Sequence, residues 1–570
     1  MSAVLSPGLS LRPALRLETW LARGGLAAAA LALFLTLGAP LLTILVKSVQ
    51  DKDGHWIGLT GFVQYFATPS LLGSITHSLT FAALTTLVTI PLAFGLAYAI
   101  QRSCMPLRGL FRGIALIPIL APSLLSALSL IYLFGNQGVL KSWVQFFGLG
   151  SIYGLPGMTL AMVFSAFPHA LMILLSGLAL SDARLYEAAD SMGTSALRKF
   201  RTITLPGAKY GIISASMVVF TMAVAEFGVV KIIGGNYNVL ATDIYIQVIG
   251  QQNFAQGAVI SLLLLIPAVF AFIVDWMVQR RQRAALSARF VLYVPKPDLV
   301  FDTAMFVFST LIAVAMLAMM GMAIFASFVK LWPYNLSMSL RHYLFALEDT
   351  GLDVAYINSL KMACFSSLVG TLFIFATAYG IEKLKQAEPL KLLIRFFAIL
   401  PMAVPGLVLG LGYIFFFNHP LNPANGLYET LTLMVICTIV HFYSSAHLTA
   451  VTALKALDSE FESVSASLKV PFYKTFMRVT LPICLPAVID IARYLFVNAM
   501  TTISALVFIY SPKTVVASIA VVQMSETGEV GAAAAMATLI VATSALACLG
   551  FWLLQWLLGR STQRWRRPAG

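Results

Sequence analysis

Apolar residues in this chain gather into long runs, and charged residues are confined to the gaps between them. The stretches 212–220, 259–274, 303–329 and 532–558 are almost free of charge, several of them near or beyond the roughly 20 residues with which an α-helix crosses a bilayer. The length rule predicts about twelve spans, near 25–48, 74–100, 112–134, 157–180, 211–233, 256–279, 302–329, 354–382, 393–417, 429–453, 485–509 and 532–558. Composition agrees. Of 570 residues 59% are apolar and 11% charged, and the mean hydropathy is +0.88. A soluble domain of this size carries more charged surface. The predicted fold class is an all-α integral membrane protein.

Charge is unequal between alternate gaps. One set holds Arg12, Arg16 and Arg23, then Arg102, Arg108 and Arg112, then Arg184, Arg198, Lys199, Arg201 and Lys209, and continues through Arg280–Arg289, Lys383–Arg395, Lys455–Arg478 and Arg560–Arg567. The other set holds only Lys47, Lys52, Lys141, Lys231, Lys330, Arg341 and Lys513. This excess, roughly four-fold, predicts that the first set and both termini are cytoplasmic. The net charge of +14 is then a topology signal and does not point to nucleic acid. The first apolar stretch is too long for the core of a cleaved leader, so an uncleaved first helix is expected. Five cysteines without a C-x-x-C pair read as small apolar residues, and no metal site is expected.

The chain repeats itself. Residues 77–100 parallel 358–381, with Ser78 matching Ser359 and Tyr98 matching Tyr379. Residues 115–125 parallel 398–408, both carrying P-x-x-x-P (Pro118, Pro122; Pro401, Pro405), and I-T-L-P at 203–206 parallels V-T-L-P at 479–482. Recurrence in the same order about 280 residues apart marks an internal duplication. Six spans per copy make the repeat parallel, with its pseudo-two-fold axis along the membrane normal. The expected organisation is a first repeat at 1–283, a basic cytoplasmic linker at 284–300 and a second repeat at 301–570.

The loop after the fourth span, 180–206, predicts a short helix beginning at Glu187-Ala188-Ala189, whose small face admits a close partner. Gly193 supplies a turn, and Thr194 or Ser195 caps a second short helix. Leu205-Pro206 then opens the next span. E-A-A, a glycine six residues after the Glu, and I-x-L-P together resemble the signature of binding-protein-dependent ABC importer permeases. The resemblance implies a type I importer permease fold in which this loop couples to an ATPase through Glu187, Ala188, Ala189, Gly193, Leu205 and Pro206. The second copy keeps Leu481 and Pro482 but places Ser463 where Glu187 stands, Glu462 one residue earlier, and Lys469 in place of Gly193. Its coupling contacts are expected to differ.

No G-x-x-x-x-G-K-[ST] occurs, so this chain holds no phosphate-cradling loop of that kind. The resemblance implies that ATP and Mg are bound by two partner ATPase subunits, that a periplasmic binding protein delivers the cargo, and that no enzyme activity resides here. Fused two-copy permeases of this type resemble the ferric-iron and 2-aminoethylphosphonate branches of the family. Residues 223–245 look like both; 461–482 and 497–524 look more like the phosphonate branch, with ferric iron as the alternative. Ionisable groups inside spans are costly and mark candidate pathway residues: Glu226 and Lys231 in span five, and Asp490 with Arg493 in span eleven, with Thr502 standing where Glu226 stands. Asp490 and Arg493, at i,i+3, also fit a packing pair. A twelve-span secondary transporter remains a remote alternative; the 101–112 gap lacks the acid such a protein carries there. Seven scattered histidines give no cluster for a membrane enzyme.

Overall fold

The structure is a computed structural model that describes residues 13–562 except 52, 147, 149, 180, 181, 286–290, 292, 349–351, 385, 386, 459 and 469. Arg12, Lys52, Arg289, Lys469, Arg564, Arg566 and Arg567 therefore lie outside the described residues.

The first repeat runs α1 (Pro13–Leu33, continued by Ala39–Lys47), α2 (Pro69–Arg102), α3 (Arg108–Leu116), α4 (Ser123–Phe134), α5 (Leu155–Ala179), α6 (Ala183–Ser191), α7 (Leu205–Val224), α8 (Gly228–Ile233), α9 (Leu240–Tyr245) and α10 (Phe254–Ala285). The second runs α11 (Leu299–Phe328), α12 (Leu352–Lys383), α13 (Glu388–Ile399), α14 (Gly406–Phe417), α15 (Leu431–His441), α16 (Tyr443–Lys455), α17 (Glu460–Ser467), α18 (Leu481–Thr501), α19 (Ala517–Glu526) and α20 (Val530–Thr562). A short antiparallel hairpin, β1 (Val329–Leu331) and β2 (Asn335–Met338), follows α11.

Among the described residues nine helices are long and apolar enough to cross a membrane, or twelve if each of three bent pairs counts as one span. The expected spans 112–134 and 393–417 are two of these pairs, bent by 103° and 119°. The P-x-x-x-P motifs are the cause. Pro118 and Pro401 sit in tight single turns, and Pro122 and Pro405 precede α4 and α14 in extended backbone. Each proline removes an N–H and its ring blocks a continuing helix. The spans expected at 211–233 and 485–509 also stop early, α7 at Val224 and α18 at Thr501.

Several hydroxyls inside the helices bond back to their own backbone, as Thr86 does to Ala82 O and Ser176 to Met172 O, which satisfies them where water is absent. α5 and α7 cross at Gly177 and Gly211, where a Cβ on either would lie 3.2 Å from the other's Cα. Small residues permit that approach.

The duplication is visible in matched contacts. Ser78 Oγ accepts from Leu240 N at 2.8 Å, and Ser359 Oγ accepts from Ala517 N at 2.7 Å. Tyr98 meets Phe200 edge-on at 5.5 Å, and Tyr379 meets Phe476 at 4.7 Å. Leu107 and Ala387, each immediately before the broken pair, share a left-handed backbone at φ 61° and 59°.

The first helix of each repeat lies on the other repeat. α1 packs on α12, α13 and α14, and α11 packs on α2, α3 and α4. Phe34 meets Phe397 at 6.1 Å. A Cβ on Gly412 would stand 2.7 Å from Pro40 O, so only glycine admits the crossing of α14 with α1 at that point.

Candidate coupling loops and translocation pathway

The first loop begins earlier than its E-A-A motif. Asp182 accepts from Arg184 N and caps α6 at Ala183. Glu187 and Ala188 face outward, while Ala189 and Tyr186 are buried. Gly193 adopts φ +65°; its N–H reaches Asp190 O at 3.0 Å and Thr194 N reaches Ala189 O at 3.0 Å, which closes the helix end in the manner of a left-handed cap. Ser195 precedes a one-turn helix, Ala196–Lys199, but makes no side-chain cap bond to it. Leu205 and Pro206 then open α7. Leu185, Met192 and Leu197 are exposed, an apolar surface on an otherwise polar loop.

Beneath the loop lies Arg102, buried at the end of α2. Its guanidinium stands 5.0 Å from the Tyr186 ring and 4.4 Å from the Tyr293 ring, and it donates to Leu178 O at 2.9 Å. Tyr186 O–H pairs with Thr204 at 2.9 Å. Asp190 meets Lys199 at 2.7 Å and Lys296 at 3.1 Å. These two ammonium groups, Lys199 first, hold the Asp190 carboxyl below its ordinary pKa.

The second loop is braced differently. Counting back from Leu-Pro, Glu462 occupies the place of Tyr186 and Ser463 that of Glu187; counting on from the matched tyrosines, Lys383 occupies the place of Arg102. Lys383 and Glu462 form an ion pair at 3.1 Å with side chains 10% and 20% exposed. A cation–ring contact in one repeat has become a carboxylate–ammonium contact in the other. Glu462 thus points inward, and Ser463 holds the outward position. The closing bond persists, Val470 N to Ser465 O at 2.9 Å, although Lys469 lies outside the described residues. Leu481 and Pro482 open α18. Phe461, Val464 and Leu468 are exposed.

Of the candidate pathway residues, Glu226 stands in the break between α7 and α8. Its Oε1 accepts from Ser123 Oγ at 2.9 Å and Val229 N at 3.0 Å, so it ties the start of α8 to the start of α4. Thr502 ends α18 and its carbonyl accepts from Ser518 Oγ at 2.6 Å. Asp490 and Arg493 pair with each other along α18 at 2.9 Å, and α18 packs chiefly on helices of its own repeat.

Lys231 is different, because its partner comes from the other repeat. Lys231 Nζ meets Glu526 Oε1 at 2.6 Å and stands 4.8 Å from the Tyr245 ring. Tyr245 is 6.3 Å from Phe508, and Gln523 Nε2 donates to the Tyr510 hydroxyl oxygen at 3.2 Å. Sequence reading singled out Lys231 but not Glu526, Tyr245 or Tyr510, since nothing in spacing links residues of separate repeats. A cavity of about 470 Å³ opens between the repeats, lined by Asn136, Gln137 and Tyr153 on one side and Lys330, His342 and Glu529 on the other. Gly154 N, at its rim, donates to Ile233 O at the end of the helix that carries Lys231.

Elsewhere, half-buried Asp51 and exposed Asp53 and His55 bring possible ligand atoms within 4.8 Å of one another. There Asp51 Oδ1 accepts the backbone N–H groups of Asp53 and His55 and closes a turn.

Two parallel copies of a helical membrane unit, with an apolar helical loop at the same place in each and a polar seam between them, define a transporter permease. The family of the binding-protein-dependent transport system inner membrane component matches residues 89–284 and again 370–563. The chain belongs to that family and is the permease of an ABC importer with both copies in one polypeptide. The ferric transport system permease protein FbpB of Actinobacillus pleuropneumoniae is 25% identical over 551 residues, 94% of this chain and 78% of its own. The sulfate transport system permease protein CysW of Escherichia coli K12 is 24% identical over 257 residues, 43% of this chain and 85% of its own. A solved bacterial ABC transporter involved in the import of the acidic polysaccharide alginate aligns with 47% of this chain and 97% of its own at 18% identity and a TM-score of 0.38.

Proposed function

We propose that this permease carries 2-aminoethylphosphonate or a related phosphonate across a bacterial inner membrane. In this reading the termini and the 183–206 and 460–482 loops are cytoplasmic. Two partner ATPases, which bind the ATP and Mg, dock on those loops, and a periplasmic binding protein feeds the opposite face. Closure of the ATPases draws the loops together, and the rigid helices attached to them switch the seam between outward and inward access.

The observation that carries the substrate assignment is the Lys231–Glu526 contact at the seam between repeats. A pair this accessible contributes about 0–1 kcal/mol, so it separates readily. A zwitterion replaces both partners at once: its phosphonate takes the ammonium of Lys231 and its amine takes the carboxylate of Glu526. A bare trivalent cation entering the same place meets Lys231 as a like charge.

Ferric iron is the second reading. It is supported by the relative named for ferric transport, which aligns with most of the chain, and by Tyr245 and Tyr510 near Glu526, since phenolate and carboxylate oxygens suit a hard cation.

The deciding test is ATPase stimulation in a reconstituted complex of this chain, its ATPase and its binding protein. Stimulation by 2-aminoethylphosphonate and loss of that stimulation in Lys231→Ala are expected. Stimulation by the ferric-loaded binding protein alone overturns the substrate assignment in favour of iron.

A further inference from the structure

We propose that Val291 and residues 293–298, in the stretch that joins the two repeats, form part of the first ATPase-docking surface and hold its helix in place. This rests on the docking-loop reading above and adds a component that a permease built from two separate chains lacks.

Four independent contacts carry it. Ala183 N, at the first residue of α6, donates to Val291 O at 3.0 Å. The Tyr293 ring lies 4.6 Å from that of Tyr186, and Arg102 covers both. Lys296 reaches Asp190 at 3.1 Å, two residues beyond Ala188. Pro295 O accepts from Cys104 Sγ at 3.4 Å, just past the end of α2. The segment then runs directly into α11, where Asp298 caps the helix by accepting from Phe301 N, and Asp302 accepts from Cys104 N at 2.7 Å. α6 is thus fastened, through the joining segment, to α11, a helix of the second repeat that packs on the first.

The opposite loop has no such strap among the described residues; α17 is held from beneath by Lys383. Two copies of one ATPase therefore meet unlike surfaces. On the first, Val294 is 77% exposed beside Tyr293, which the Tyr186 and Arg102 contacts anchor, and Leu185 and Met192 of the loop are exposed too. An apolar side chain held outward by an anchored neighbour suits burial against the same partner. Tyr293 is then a positioning residue and Val294 a contact residue.

The experiment uses the full chain assembled with its ATPase. A photo-crosslinking residue placed at 294 is expected to join the ATPase subunit, as one placed at 192 should, while one at Leu336 in β2 should not. Crosslinking from 192 but not from 294 removes the segment from the docking surface and overturns the proposal. Crosslinking from neither overturns the docking-loop reading as well. Tyr293→Ala is expected to lower solute carried per ATP hydrolysed several-fold, and Tyr293→Phe to preserve it. Should Tyr293→Ala fail to accumulate, Lys296→Glu changes only an exposed charge. A loss of coupling is expected there too. Unchanged coupling in both Tyr293→Ala and Lys296→Glu overturns the positioning role.

Discussion

At Gly193 the chain turns with φ +65° and nothing stands within 4 Å of where a Cβ would project. Space is therefore no obstacle to substitution, and backbone conformation is. A residue with a Cβ pays about 1–2 kcal/mol in the left-handed region, and asparagine tolerates it best. Gly193→Val is expected to uncouple ATP hydrolysis from uptake at normal abundance, and Gly193→Asn to retain most uptake. Equal uptake by both variants would remove the turn from the mechanism. The paired braces make a second expectation. Glu462→Ala strands a mostly buried ammonium at Lys383, a loss of about 1–3 kcal/mol, so its melting temperature should fall. Lys383→Arg with Glu462→Tyr rebuilds the contact of the first repeat and should recover part of the loss. The motif residues of both loops were legible in sequence because spacing and repetition mark them. The inward turn of Glu462 was not, since it depends on which cation the preceding helix places below it.

Helices were legible as apolar runs, but their breaks were not. Length predicts spans through 112–134 and 393–417, and only local proline geometry turns each by more than 100°. Glu226 reads as an intramembrane acid by the same count; that it also ties α4 to α8 follows from the unwound backbone around it. The exchange of first helices leaves even less trace, because lipid-facing and protein-facing apolar residues look alike in composition. Gly412 gives it a test. Gly412→Leu forces a side chain against Pro40 O, an overpacking of about 1–3 kcal/mol, and should lower the melting temperature in detergent. Gly321→Ala in α11, with open surroundings, should hold or raise it. Asp190 adds a pH expectation. Its folded pKa is depressed by Lys199 and then Lys296, so its contribution is present above the unfolded value of about 3.9 and fades as pH falls through the lower folded one. The stability difference between wild type and Lys296→Ala should thus stay constant from about pH 8 to 5 and shrink only below about pH 4.

Across the whole molecule, fusion and helix exchange act together. α1 belongs to the first repeat in sequence and packs chiefly on the second, while α11 of the second packs on α2, α3 and α4 of the first as well as on α20 of its own repeat. Neither repeat alone has a partner for the face of its own exchanged helix, and each leaves a groove where the other's helix belongs. In lipid such a groove costs packing rather than hydrophobic burial, so separated repeats should insert yet fail to hold their fold. A chain split after Arg283 tests this. Each piece expressed alone should be protease-sensitive and polydisperse in detergent. The two expressed together should reassemble, because the split leaves Tyr293 and Lys296 attached to α11 with their contacts to α6 available. A piece that is stable alone would mean that the exchange adds little. Failure of the two to reassemble would mean that covalent continuity through the basic stretch is itself required. Between those outcomes lies the expected one: the connection serves chiefly to deliver the strap to the first loop, and the packing of exchanged helices holds the halves together.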